Sequence, residues 1–290
     1  MASVRPALPA DFEIVQPLLK EFANDRMRPA DWRRMLFDLP WPVEEPTRGF
    51  ILEEGGRAVG FLGTIFSARE VRGTRRRFCN LSSWVVRESH RSSSMQLLLP
   101  VLGLRTHTIV NLSASPTAHE IFTRLGFQTL DDHQVLVPPL SSPGDLLGGR
   151  GVRVTTGLDA IAMALDEPGR RILEDMRGTL AGQILVCRGD RSCHAIATRS
   201  RWKPRLHLAH VQYASDWDLL LECVPQVSAA FFGRLGTVGL RLDGQRVTGP
   251  APRFAVTRAL GLPTLFRPAE PDLGPADVDG LYTEVVNLRW

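Results

Sequence analysis

The apolar positions change period several times along the chain, and each change marks an element. From Asp11 to Phe22, the residues Phe12, Val15, Leu18, Leu19 and Phe22 recur at helical spacing, and Asp11 stands where an N-cap belongs. Arg26 to Leu39 repeats the pattern with Trp32, Met35 and Leu36, and Pro40-Trp41-Pro42 ends it. The period then shortens. Phe50–Leu52 and Ala58–Ser67 read as a hairpin around Glu54-Gly55-Gly56-Arg57, a turn that needs positive φ. Arg69–Thr74 connects this hairpin to a further strand, Arg77–Val86. Beyond it the pattern predicts a helix over Met95–Leu104 despite Pro100, a strand over Thr108–Leu112, a helix over Ala118–Leu125 and a strand over Gln134–Val137.

The stretch Pro138–Gly149 is dense in Pro, Gly and Ser and reads as a linker. The second half then repeats the plan faintly. Val152–Gly157 is strand-like, and Leu158–Met176 is helical with a break near Pro168. Ile184–Ala197 is a hairpin with Arg188-Gly189-Asp190 at its turn, and it aligns with Ile51–Phe61. Leu206–Tyr213 is a strand, Leu219–Leu235 a helix interrupted near Pro225, and Val238–Leu242 a strand before the Asp243-Gly244 turn. The resulting fold class is α+β with a mixed sheet. The partition is one domain over 1–138, a linker over 139–150 and a second domain over 151–290. The second domain is either a diverged copy of the first or an unrelated α+β domain.

Composition narrows the functional classes. At 290 residues, 43% hydrophobic and 23% charged, the chain has the make-up of a globular protein long enough for two domains. The net charge of +4 is mild, and nearly all of the 35 basic side chains are arginine, so no nucleic-acid face is expected. The run Arg72-Gly73-Thr74-Arg75-Arg76-Arg77 is the local exception; it is either a solvated turn or the lining of an anionic entry. The cysteines Cys79, Cys187, Cys193 and Cys223 have neither C-x-x-C spacing nor histidines in metal register. That argues against a metal site and a disulfide framework and for reduced core cysteine. No apolar run follows the first charges and none is long enough to span a membrane, so a cytoplasmic location is expected.

Two segments carry candidate chemistry. The first is the strand Trp84-Val85-Val86 followed by a polar loop with Arg91, Ser92, Ser93 and Ser94, and then Met95-Gln96 opening an apolar run. A strand, a polar loop and a helix start together suit phosphate, because free N–H groups and the positive helix end converge there. The second runs from Asn111 through Ser115-Pro116-Thr117-Ala118-His119 to Gly126-Phe127.

In this order the two segments resemble the GCN5-related N-acetyltransferase (GNAT) family. Arg91 fits the first position of the family's Arg/Gln-x-x-Gly-x-Gly/Ala loop, with Ser94 and Gln96 in place of the glycines. Ser115, Ala118, Phe122 and Gly126-Phe127 follow its Asn-x-x-Ala-x-x-x-Tyr-x-x-x-Gly-Phe, with Phe122 replacing the tyrosine. Val4–Phe12 and Gly49–Gly63 look like the family's opening strands and first helix start. The resemblance covers roughly the first half. It implies acetyl-CoA or another acyl-CoA as co-substrate, held by Trp84, Val85, Val86, Arg91, Ser92, Ser93, Ser94, Met95, Gln96, Asn111 and Ser115, and no metal.

The acceptor implied is an amine of a small molecule or a protein, in an N-acyltransferase. The catalytic residues stay open. Phe122 has no proton to give, which leaves His119, Ser83 and Cys79 as weak candidates. Absent glycines and tyrosine equally suit a non-catalytic GNAT-like protein that binds a ligand or partner. In the second half, Asp216, Trp217 and Asp218 fill the place of the phosphate loop, so at most one CoA per chain is expected.

Overall fold

The structure is a computed structural model that describes residues 2–22, 27–138 and 151–288. The expected linker at 139–150 lies outside the described residues. The chain divides into two compact units. One comprises Met1–Leu130, Thr264–Asp277 and Tyr282–Asn287; the other comprises Asp131–Pro263, Val278–Leu281 and Leu288–Trp290.

In the first unit, β1 (Ser3–Ala7), β2 (Gly49–Glu54), β3 (Arg57–Val71) and β4 (Thr74–Val86) run antiparallel in sequence order. Strand β5 (His107–Asn111) lies parallel to β4, and its other edge takes Leu265–Arg267 in antiparallel register. The β2–β3 turn places Gly55 at φ 57° and Gly56 at φ 74°, where residues with a side chain are strained. One face of the sheet buries Phe50, Leu62, Phe66, Cys79, Leu81 and Ile109 against Leu97, Val101, Phe122 and Phe127. On the other face, helices α1 (Phe12–Glu21) and α2 (Pro29–Leu36) precede Phe37, whose ring meets Phe12 at 5.2 Å and Phe61 at 6.1 Å. Each such aromatic, taken out of water, contributes about 1.5–3 kcal/mol.

In the second unit, β7 (Val152–Thr155), β8 (Gly182–Arg188), β9 (Arg191–Lys203) and β10 (Leu206–Ala214) again run antiparallel. Strand β11 (Leu240–Asp243) is parallel to β10, and Gln134–Val137 of β6 (Gln128–Val137) pairs antiparallel with β11. The two units thus share one strand plan: four antiparallel strands, a parallel fifth, and an antiparallel sixth. In each, the sixth strand comes from the other half of the sequence. A partition at 139–150 assigns Gln134–Val137 to the first half, whereas these residues pair with Leu240–Asp243 of the second unit. Ile184, Val186, Ala195 and Ala197 form its core with Leu219, Leu220, Val227 and Phe231.

Several elements differ from the sequence expectation for local reasons. The helix expected over Met95–Leu104 is a 3₁₀ stretch, Glu88–Leu97, followed by the four-residue α3 (Leu99–Leu102). Pro100 has no N–H and is tolerated only in the first turn, so the α-helix begins just ahead of it. Helix α4 (Pro116–Arg124) is capped by Ser115, whose hydroxyl accepts the Ala118 N–H. The break expected near Pro168 is present: Leu158–Met176 forms two helices, α5 (Leu158–Ala164) and α6 (Glu167–Arg177), because Asp166 caps the second and Pro168 sits in its first turn. Leu219–Leu235 likewise resolves into α7 (Trp217–Glu222) and α8 (Val224–Leu235), with Pro225 in the first turn of α8. Strand β12 (Val256–Arg267) has no counterpart in the sequence expectation; its residues Thr257–Arg258 and Pro263–Thr264 interrupt a run of apolar residues with no clear alternation.

Candidate active site

Strands β4 and β5 part company midway. Their parallel pairing runs from Arg77↔His107 to Asn80↔Val110 and stops. Strand β4 continues to Val86, and from Leu81 onward β3 is its one strand neighbour among the described residues. The register with β3 jumps between Phe61↔Val85 and Gly63↔Ser82, which places a bulge at Ser83 and Trp84. Ser83 has φ 56°, a left-handed conformation uncommon for a residue with a side chain. A bulge re-aims side chains and ends pairing. The result is a stretch of β4 edge, opposite a diverging β5, to which no strand pairs among the described residues.

At this divergence the chain places a buried carboxylate. Glu284 is 1% exposed. Its Oε1 accepts a hydrogen bond from the Ser113 hydroxyl at 2.7 Å, and its Oε2 accepts one from the Asn80 amide. Asn80 is the last β4 residue paired with β5, and Ser113 lies two residues beyond the end of β5. The Ser113 N–H is itself held by Asn111 Oδ1 at 3.2 Å. Burial raises the Glu284 pKa above the ordinary carboxylate range, and the hydrogen bonds from Ser113 and Asn80 only partly oppose it. Nearby in sequence, Tyr282 adopts φ 58° and meets Trp41 edge-on at 5.4 Å. Trp41 Nε1 is buried without a hydrogen-bond partner.

The sequence-expected residues fall into three groups. Trp84 packs on Phe122 at 5.9 Å, and Val86 packs with it against the apolar core, while Val85 pairs with Phe61. These three lie on the β4 stretch beyond the divergence. The second group lies in the 3₁₀ segment. Arg91, Ser92, Met95 and Gln96 are exposed, Ser93 and Ser94 half-buried, and Arg91 reaches Glu88 at 3.9 Å. Gln96 points to solvent rather than into a cradle, and no α-helix begins at Met95. Asn111 and Ser115 act as local braces, one on the turn after β5 and the other as the α4 cap.

The third group is the weak catalytic candidates. Cys79 neighbours Asn80 in β4 and so projects to the opposite face, into the apolar cluster. Burial, with Glu45 nearby, pushes its thiol strongly upward and keeps it protonated. Ser83 sits on the bulge, its hydroxyl 3.2 Å from that of Ser82. His119 is half-buried on α4, with no hydrogen bond to Glu284, Ser82 or Ser83, and its Nε2 is a buried atom lacking a partner. Sequence reasoning missed Glu284. It lies in a C-terminal stretch without periodic pattern, and only the fold brings it to Asn80.

Among the described residues, Asp131, Asp132 and His133 bring three metal-capable atoms within 4.8 Å of one another. The Asp131 oxygens already accept the N–H groups of His133 and Gln245, which makes it a turn brace. No helix among the described residues is long and apolar enough to cross a membrane.

The second unit has a matching divergence that is filled. Strand β10 pairs with β11 only at Ala209↔Leu240 and His210↔Arg241, and its register with β9 jumps between Val211 and Tyr213. Here the Gly280 N–H donates to the Gln212 carbonyl on that edge at 3.3 Å. A Cβ on Gly280 would lie 1.8 Å from Gln212 Oε1, so one of the two would have to shift to admit it. His210 Nε2 lies 2.7 Å from Asp243 Oδ1, and burial lowers the His210 pKa while Asp243 opposes that shift. Asp216, at the place of the phosphate loop, caps α7 and pairs with Arg191 at 2.9 Å.

Neither a family model nor a curated protein matches the sequence. Solved structures do match in shape. A GCN5-related N-acetyltransferase from Anabaena variabilis aligns with TM-score 0.56 and 9% identity over 93% of this chain and 73% of that one. One from Kribbella flavida gives 0.56 and 15% over 93% and 72%. Eis1 from Mycobacterium abscessus gives 0.50 and 13% over 92% and 74%. The chain therefore has a GNAT fold, a mixed α+β sheet with helices on its faces.

Proposed function

We propose that the protein is an acyl-CoA-dependent N-acyltransferase with its site at the β4–β5 divergence of the first unit. The observation that carries this reading is Glu284, a buried carboxylate held by Asn80 and Ser113 where the two strands separate. The β4 edge from Leu81 to Val86, with no strand partner on that side among the described residues, offers backbone groups to the amides of a pantetheine arm. The backbone from Arg91 to Gln96 lies past the end of that strand and is assigned the pyrophosphate. Because α3 is short and preceded by 3₁₀ turns, the cradle relies on loop amides and serine hydroxyls more than on a helix dipole.

The reaction needs an uncharged amine. A raised carboxylate pKa brings Glu284 closer to neutrality, where a general base works best. Its two hydrogen-bond donors fix its orientation. The amine nitrogen attacks the thioester carbon, the amine proton passes to Glu284, and the C–S bond breaks to release thiolate. A thiolate is a stable leaving group near neutrality, since a free thiol ionises around pH 8.5. Protonation by solvent therefore suffices, and Phe122 in place of a tyrosine does not prevent turnover.

The second unit is proposed as a degenerate GNAT-like copy without a CoA site, since Gly280 and Asp216 occupy the corresponding positions. Titration calorimetry with acetyl-CoA and longer acyl-CoAs tests the co-substrate, with one site per chain expected. Thiol release across a panel of amines tests the transfer. CoA binding without thiol release for any amine would favour the non-catalytic reading, for which the exposed Arg91 and the 3₁₀ loop speak.

A further inference from the structure

The β3–β4 and β9–β10 hairpins occupy the same place in the two units, and both end in cations. In the first, the tip carries Arg72, Arg75, Arg76 and Arg77. An acidic, proline-rich stretch of the same unit, residues 268–277, covers it. Asp277 pairs with Arg72 at 2.7 Å, Asp272 with Arg76 at 2.7 Å, and Glu270 also meets Arg76. Glu44 serves Arg75 and Arg77.

In the second, Arg199, Arg201 and Lys203 alternate along β9 and Arg205 follows at the turn; all four are exposed. Odd positions of β9 share one face. Within the unit's core that face bears Cys193, Ala195 and Ala197, and toward the tip it bears Arg199 and Arg201, with Lys203 beyond the register shift opposite Leu206 and His207. Among the described residues no carboxylate pairs with any of the four. The contacts they make are Arg199 donating to His207 Nδ1 at 3.0 Å and Lys203 lying over the Trp202 ring at 4.8 Å. No acidic residue occurs between Arg191 and Ser215. Burial, and then Arg199 and Arg201, lower the His207 pKa, as an uncompensated positive field does.

We propose that the β9–β10 hairpin is a docking surface for an acidic, extended peptide segment of a partner protein. The molecule supplies the template: on the equivalent hairpin, carboxylates two residues apart, Glu270 and Asp272, both reach one arginine. Cations spaced every second residue of a strand recur about 6.6 Å apart, a repeat that an extended peptide with alternate carboxylates shares. This inference is independent of the acyltransferase reading.

The test uses the full chain and a fluorescein-labelled decapeptide with the sequence of residues 268–277. Anisotropy is followed at low ionic strength, where exposed charges are least screened. Binding is expected, weakened at least tenfold by Arg199→Glu with Arg201→Glu and within twofold of wild type in Arg171→Glu with Arg234→Glu, which removes the same net charge elsewhere. Absence of binding, or equal loss in both double variants, overturns the proposal. So does tighter binding of a dT12 oligonucleotide or of phosphatidylserine vesicles than of the peptide at the same hairpin.

Discussion

Strand β4 leaves β5 after Asn80, and β10 leaves β11 after His210. Both strands carry a bulge just beyond that point. Past the bulges the two units differ. In the first unit a buried acid, Glu284, is held between Asn80 and Ser113, and β4 keeps an edge without a strand partner among the described residues. In the second, Gly280 bonds to that edge and His210 is tied to Asp243. One backbone plan thus supports either the proposed site or a plug. Which one results depends on a few C-terminal residues: Tyr282–Glu284 serve the first unit and Val278–Leu281 the second. The strand plan is a scaffold, and function is assigned by the residues delivered to it.

The largest expected effect is at Glu284. Glu284→Gln keeps the shape of the side chain but cannot take a proton. We expect kcat to fall by about 10²–10⁴-fold with KM for acyl-CoA little changed. Steady-state thiol release on a reactive amine checks this, and an unaltered kcat would remove Glu284 from the mechanism.

Acid stability separates the units in opposite senses. His194 is 1% exposed, bonded to Gln183 at 3.0 Å, and burial holds its pKa down to about 4. The unfolded chain therefore binds this proton first as pH falls. His194's contribution to stability is full above about pH 6.5 and is lost toward pH 4, roughly 3 kcal/mol in all. Glu284 works the other way: its raised pKa gives stability that is present at low pH and is lost as pH rises through the folded value. Urea unfolding followed between pH 4.5 and 7.5 should show His194→Gln flattening the acid limb and Glu284→Gln flattening the other. Parallel curves for wild type and His194→Gln would contradict the buried neutral imidazole.

Much of the fold is legible in the residues. The Phe12-to-Phe22 stripe, the Gly55-Gly56 turn and the Ile184–Ala197 hairpin all appear as their patterns predict, because local periodicity and turn chemistry decide them. Strand β4 follows from Trp84-Val85-Val86, whereas its divergence from β5 does not. The pairing of Gln134–Val137 with Leu240–Asp243 does not either, since strand partners are chosen by tertiary packing and not by the strand's own sequence. Glu284 stays invisible for the same reason: its partners lie 204 and 171 residues away. In the segment after β4, Pro100 overrides the apolar pattern that predicts a helix from Met95.

The plug in the second unit can be strained directly. Gly280→Ala sets a Cβ against Gln212 Oε1, so either the side chain or the 278–281 segment shifts. A cost of about 1–3 kcal/mol is expected, read as a lower urea midpoint with unchanged m-value. Acyl-CoA affinity should not change, because the proposed CoA site lies in the first unit. A gain of a second CoA site would instead reveal that Gly280 alone keeps the second unit closed.

The smallest effect sharpens the phosphate assignment. Ser94 is half-buried in the 3₁₀ stretch, four residues upstream of Leu98. Ser94→Asp adds a negative charge beside the backbone assigned to the pyrophosphate. Like charges a few ångströms apart at a partly solvated site repel by one to a few kcal/mol, so acetyl-CoA affinity should fall about tenfold or more. In the second unit the corresponding place already holds Asp216, which caps α7. Asp216→Ser keeps a capping hydroxyl and removes that charge, yet should leave stoichiometry at one CoA, because Gly280 still bonds to the β10 edge. Calorimetry on both variants decides the point. Unchanged affinity in Ser94→Asp would move the pyrophosphate away from Arg91–Gln96, and two sites in Asp216→Ser would erase the asymmetry between the units.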